Sequence, residues 1–203
     1  HSVGPFQIQA FRQIADTVFQ RCLSLQLRES ASLQQMQQAG LSISKVDIGS
    51  DTAWLVEFPA QIPPELLLRS NKPTVAFTVR QLSPFNHRLQ LSQQAYNQTL
   101  VQCAQNLIAA GYAIHFVSTC TGIDGYKNDD RMLALELAQM INQPDLVTVE
   151  MRELNDLEIG LVLRQCHFTI ATRLHSAILA LAAGSIAIAL SYEHKTPGIF
   201  QGL

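Results

Sequence analysis

Four cationic residues stand where an apolar run gives way to a polar stretch. Arg28 follows Leu25-Gln26-Leu27, Arg80 follows Thr74–Val79, Arg173 follows Phe168–Ala171, and Lys195 lies beyond Ile186–Leu190. Short apolar runs of this kind read as buried parallel strands, and open parallel sheets bind ligands beyond the carboxyl ends of their strands. Cations repeated at that place point to a small dianionic ligand in a cleft. The fullest example is Phe168-Thr169-Ile170-Ala171-Thr172-Arg173-Leu174-His175-Ser176, a strand running straight into the start of a helix. Free N–H groups and the positive end of the helix dipole favour an anion there. The planar fork of Arg173 fits phosphate or carboxylate oxygens, and His175 can donate a hydrogen bond or move a proton near neutral pH. The plainer alternative is that Thr172 caps the helix and Arg173 pairs with a surface acid. In the run Ser191-Tyr192-Glu193-His194-Lys195-Thr196, closed by Pro197, Lys195 offers a point charge for phosphate. Tyr192, Glu193 and His194 are proton-carrier candidates, although Glu193 suits a solvated loop better.

The elements that must position these residues alternate. Apolar residues at 8, 11, 14, 15, 18 and 19 predict a helix over 7–21, followed by a strand at 23–27. A helix over 30–39 stopped by Gly40 and a strand at 43–48 come next. Pro59, Pro63, Pro64 and Pro73 then interrupt the pattern, which marks a linker. From Thr74 five strands (74–79, 113–117, 146–150, 168–171 and 186–190) are separated by helices over 91–110, 130–141, 154–164 and 174–183. The expectation is an α/β chain of parallel sheets flanked by helices. A partial N-terminal half spans 1–58, a linker 59–72, and a donor-binding domain 73–203.

Composition excludes several classes. About 47% of residues are hydrophobic and 15% charged, so a packed core is available and whole-chain disorder is not expected. A net charge of −2 offers no basic field for nucleic acid. No apolar run reaches the ~20 residues that cross a bilayer. Cys22, Cys103, Cys120 and Cys166 are scattered without a C-x-x-C pair, as expected of reduced thiols. The glycine fingerprints of dinucleotide and P-loop sites are absent, as is a G-x-S-x-G elbow. Asp129-Asp130 reads as a helix cap rather than a metal site, His115 as a satisfied core residue, and His87 as a weak cleft candidate. The sequence is expected to be part of a longer chain.

The run Ile170-Ala171-Thr172-Arg173-Leu174-His175-Ser176, continued by Gly184 and Tyr192-Glu193-His194-Lys195-Thr196, resembles the C-terminal signature of polysaccharide pyruvyl transferases. Ser2-Val3-Gly4-Pro5-Phe6, Leu27-Arg28-Glu29-Ser30 and Asp124-Gly125-Tyr126 with Asp129-Asp130-Arg131 resemble earlier segments of that family. The resemblance implies two Rossmann-like halves in a GT-B-like arrangement, the N-terminal half incomplete here. It implies transfer of a pyruvyl group from phosphoenolpyruvate to a sugar hydroxyl as a ketal, in cell-surface or exopolysaccharide biosynthesis. It further implies His175 and Lys195 as catalytic residues, and Arg173, Leu174, Ser176, Arg80 and Arg28 as donor contacts. No metal or other cofactor is expected. The acceptor would be a glycan or lipid-linked sugar, and the location cytoplasmic, where the acceptor can hold the protein at the inner membrane face. Two other readings stay open: a glycosyltransferase using a nucleotide sugar, for which Glu150 and Glu153 are the ribose-binding candidates, and a phosphosugar-binding module without catalysis.

Overall fold

The computed structural model describes residues 3–122, 129–192 and 195–200, and the chain forms two compact units, residues 1–54 with 193–203 and residues 55–192. In the first unit, helix α1 (Gln9–Arg21) leads to strand β1 (Leu25–Leu27), helix α2 (Ser30–Gln38) and strand β2 (Val46–Ile48). β1 and β2 pair in parallel, Leu25 opposite Val46. Leu27, Met36 and Leu41 are buried at the centre of this unit, with Phe6, Ala15 and Phe19 packed around them. Helix α8 (Lys195–Phe200) also belongs here, and Gly198 lies so close to Glu29 and Ala31 that a side chain at 198 would collide with both.

The second unit holds strands β3 (Thr74–Thr78), β4 (Ala113–Phe116), β5 (Val147–Val149), β6 (Phe168–Ala171) and β7 (Ala187–Ala189), all parallel, in the order β5-β4-β3-β6-β7. Helices α4 (Gln93–Ala109), α5 (Asp130–Ile141), α6 (Asp156–Arg164) and α7 (Leu174–Ala182) join them, and a short helix α3 (Asn86–Leu89) precedes α4. These are the parallel, helix-flanked sheets of an α/β fold. The five strands stand where the sequence places them, shortened at their ends. The turn of α3 was not foreseen, because four residues show no period. Gly111 and Gly184 sit at φ +97° and +86° just beyond α4 and α7, a conformation that glycine adopts without steric cost. The proline-rich stretch 59–72 groups with this unit, where Leu66 is buried beside Val162 and Leu163.

β3 is central, and all five of its residues are buried. Side-chain alternation sends Val75 and Phe77 to a core shared with Tyr96, Leu100, Leu133 and Leu137 of α4 and α5. Ala76 faces the opposite core, built with Ile159, Val162 and Leu163 of α6 and Leu179 of α7. Each large side chain so buried contributes about 1.5–3 kcal/mol. The small residue at 76 and the glycine at 160 let these layers close, and Phe58 packs directly against Gly160.

His115 of β4 is buried but only half satisfied. Its Nδ1 lies 2.7 Å from the Thr148 hydroxyl, and its Nε2 has no hydrogen-bond partner among the described residues. Burial holds the imidazole down to about 4, opposed in part by the Glu150 carboxylate. An unfolded histidine titrates near 6.5, so the folded value is depressed and the neutral form is the one the fold stabilises. This contribution, about 3 kcal/mol, is complete above pH ~6.5 and is lost as the pH falls towards ~4. Urea midpoints of the protein and of His115→Gln at pH 7 and pH 4.5 are expected to converge at the acid end. Parallel pH slopes would refute this account.

Candidate active site

The chain adds β4 and β5 on one side of β3 and β6 and β7 on the other, so the connections leaving β3 and β6 diverge. Such a topological switch point opens a crevice at the carboxyl ends of those two strands. The residues emerging there are Arg80, two beyond β3, and Arg173, two beyond β6. Backbone pairing continues past the strands, with the Thr172 N–H donating to the Thr78 carbonyl at 2.9 Å. Beneath, the Tyr96 hydroxyl lies 2.7 Å from that of Thr172 and also takes a hydrogen bond from the Arg80 backbone. Burial pushes the Tyr96 phenol up to about 12, so it stays protonated and uncharged.

Arg173 opens α7 in an extended conformation, and its own side chain does not cap the helix. Its Nε and Nη2 each donate to Asp130 at 2.8 Å, a planar two-bond pair with a carboxylate only 1% exposed. The partner is thus a buried acid rather than the surface acid of the plainer reading, and Thr172 bonds Tyr96 instead of capping. Burial raises the Asp130 carboxyl, and Arg173 pulls it back. Arg80 acts electrostatically on the same carboxylate without bonding to it. Asp129, next along the chain, does cap α5, accepting from the Arg131 N–H, and its carboxylate is matched by the Arg131 side chain at 2.6 Å. Among the described residues the cluster around Asp130 therefore keeps an excess of positive charge.

The Arg80 guanidinium lies 4.6 Å from the Phe85 ring centre and 4.5 Å from that of Tyr192, and its Nη1 donates to the Tyr192 hydroxyl. Stacking on two aromatic faces holds its plane while leaving its charge undiminished. Arg88 Nη2 donates to the Tyr192 carbonyl at 2.6 Å, fixing the segment after β7 over the site. Ser176 is fully buried, its hydroxyl 3.0 Å from that of Thr119 after β4. Leu174 is half-buried and His175 is exposed on the first turn of α7.

The structure thus brings Arg80, Arg173, Leu174, His175 and Ser176 together in the second unit. Arg28 and Lys195 belong to the first unit. There the Arg28 Nη1 lies 2.5 Å from Asp51 and its Nε 3.5 Å from Glu29. Lys195 opens α8, and Glu193 and His194 lie outside the described residues. Sequence reasoning did not find Tyr96, Asp130 as an ion-pair partner, Phe85 or Thr119. Only Asp130 carried a signal, as the second acid of a pair where a single one suffices to cap.

The sequence model of the polysaccharide pyruvyl transferase family matches residues 1–194. Among curated proteins, the amylovoran biosynthesis protein AmsJ of Erwinia amylovora is 46% identical over 209 aligned positions, which cover 100% of this chain and 50% of AmsJ. The chain thus spans about half the length of that relative. Among solved structures, a glycosyltransferase from Rickettsia africae superposes with a TM-score of 0.56 at 12% identity, over 93% of this chain and 48% of the other. Anabaena Alr3699/HepE in complex with UDP-glucose gives 0.52 at 16% identity, over 92% and 50%. The likeness to both shows a shared glycosyltransferase-like α/β architecture.

Proposed function

This chain belongs to the polysaccharide pyruvyl transferase family, and from that premise we propose that it carries the donor site for moving a pyruvyl group from phosphoenolpyruvate to sugar hydroxyls of an exopolysaccharide. The observation that supports the reading best is the pair Arg80 and Arg173 at the switch point, Arg173 ion-paired to the buried carboxylate of Asp130 and Arg80 acting on the same carboxylate through space. Phosphoenolpyruvate carries a phosphate and a carboxylate, and two preorganised guanidinium groups with a helix N-terminus are the donors such a molecule needs. Arg173 gives Nε and Nη2 to Asp130, and its Nη1 donates to no group among the described residues. Because those donors are fixed before the reaction, they stabilise charge that builds on the departing phosphate.

In this reading the oxygen of one sugar hydroxyl bonds to the enol carbon while the proton carrier protonates the methylene carbon, which becomes the methyl group, and the carrier takes the hydroxyl's proton in return. The bond from that carbon to the phosphate oxygen then breaks, the oxygen of a second hydroxyl takes its place, and the second hydroxyl proton leaves with phosphate. His175, exposed on the first turn of α7, is the proton carrier, and Ser176 anchors that turn against Thr119. The acceptor is a glycan or lipid-linked sugar, and the reaction belongs to the cytoplasm.

The test is thermal unfolding of the full-length protein and its Arg173→Ala variant with phosphoenolpyruvate. A site-specific ligand at a hundredfold excess over its dissociation constant stabilises by about 2.7 kcal/mol. A rise in melting temperature is expected for the parent and not for the variant. Stabilisation by UDP-glucose, with no response to phosphoenolpyruvate, would replace this reading with sugar transfer from a nucleotide.

A further inference from the structure

The two cations of the crevice are held by different groups, Arg173 by Asp130 and Arg80 by the rings of Phe85 and Tyr192. What sets one against the other is the backbone that carries each. The Thr172 N–H donates to the Thr78 carbonyl at 2.9 Å, one residue before Arg173 and two before Arg80. Beyond that bond the two connections diverge, and Tyr96 joins them again. Its hydroxyl lies 2.7 Å from the Thr172 hydroxyl and accepts from the backbone N–H of Arg80. One buried phenol thus bridges both arginine-bearing loops.

Tyr96 is itself firmly placed, in the first turn of α4. The Ser92 hydroxyl caps that turn, accepting from the Ala95 N–H at 3.0 Å, and Gln93 accepts from the Leu82 N–H at 2.7 Å. The chain leaving Arg80 is thereby tied to the start of the helix. The Tyr96 ring packs in the core with Val75, Phe77 and Leu100, and the residue is only 6% exposed. Phenylalanine would fill the same space, so what the hydroxyl adds is the bridge and not the packing. A hydroxyl in such surroundings is costly unless bonded, and Tyr96 and Thr172 satisfy each other. A molecule with two anionic groups on one short frame responds to the distance between two cations, whereas a single anion does not. Fixing that distance beforehand removes an ordering cost from binding.

We propose that Tyr96 is a positioning residue that sets the spacing of Arg80 and Arg173, and with it the preference of the crevice for a small molecule bearing two anionic groups over a single anion. It acts through the two loops it ties and not by touching the ligand. The inference rests on the donor reading of this crevice and adds what makes the crevice selective.

The experiment is calorimetric titration of the full-length protein, Tyr96→Phe, Thr172→Val and the double variant with phosphoenolpyruvate and, separately, with inorganic phosphate. The parent is expected to favour phosphoenolpyruvate. In each single variant its affinity is expected to fall about tenfold, as loss of one hydrogen bond predicts, while that for phosphate stays as it is. Thr172→Val removes the bond from its other side and carries the test if Tyr96→Phe folds poorly. The double variant is expected to lose about as much as Tyr96→Phe alone, because both changes break one bond. A hydroxyl that served the fold alone would lower the melting temperature and leave the ratio of the two affinities unchanged. An unchanged ratio in the single variants, or losses that add in the double variant, would overturn the proposal while the donor reading stands. A parent that does not bind phosphoenolpyruvate would overturn the donor reading and this inference with it, so the two failures are told apart.

Discussion

Replacing Asp130 by alanine is expected to cost the fold about 3 kcal/mol, near the lower end of what breaking a buried ion pair costs. The carboxylate is 1% exposed and the Arg173 side chain 19%, so alanine would leave a cation largely shielded from water without its two-bond partner. Asp130→Asn keeps the shape and one acceptor oxygen, and its loss is expected to be less than half as large. Urea unfolding reads both, with the denaturant dependence unchanged and the midpoint lowered. A loss below about 1 kcal/mol for the alanine variant would mean that Arg173 finds another partner, and that the pair does not position it.

His175→Ala is expected to lower turnover of the full-length enzyme by about 10²–10⁴, the range for a positioned general acid or base. Thermal stabilisation by phosphoenolpyruvate should survive in this variant, because donor affinity is assigned to Arg173 and Arg80. That separates a group needed in the transition state from one that binds the ground state. An unchanged turnover would move the proton to another carrier, for which Tyr192 is placed by its hydroxyl bond to Arg80. Loss of stabilisation together with turnover would make His175 a binding residue.

Much of this was legible in the residues themselves. Strands β3, β4 and β6 are apolar and bounded by polar residues, and α4 and α7 end at the glycines 111 and 184, which the structure places in left-handed conformations. The approach of Arg80 and Arg173 to one crevice follows from where their strands end, once the strand order is known. What could not be read is who pairs with whom. Asp130 lies 43 positions from Arg173, and Tyr96 lies 76 from Thr172. His115 reads from sequence as a satisfied core residue, but the strand pattern does not tell whether a partner reaches both of its nitrogens, and in the fold only Nδ1 has one among the described residues. Arg28, flagged on the same pattern as Arg80, is held by Asp51 and Glu29 within its own unit.

The order of strands also dictates the order of assembly. β3 is flanked by β4, the next strand in sequence, and by β6, whose Phe168 stands opposite Val75. During synthesis β3, β4 and β5 can pair as soon as they emerge, whereas the other edge of β3 must wait for most of the second unit to leave the ribosome. Until then its backbone donors and acceptors on that side are exposed in an apolar strand, which invites pairing with other chains. The Gln165 hydrogen bonds to Leu66 and Leu68, 99 and 97 positions away, can close only after the same wait. The strand that leads to Arg80 is therefore completed late, and the crevice with it.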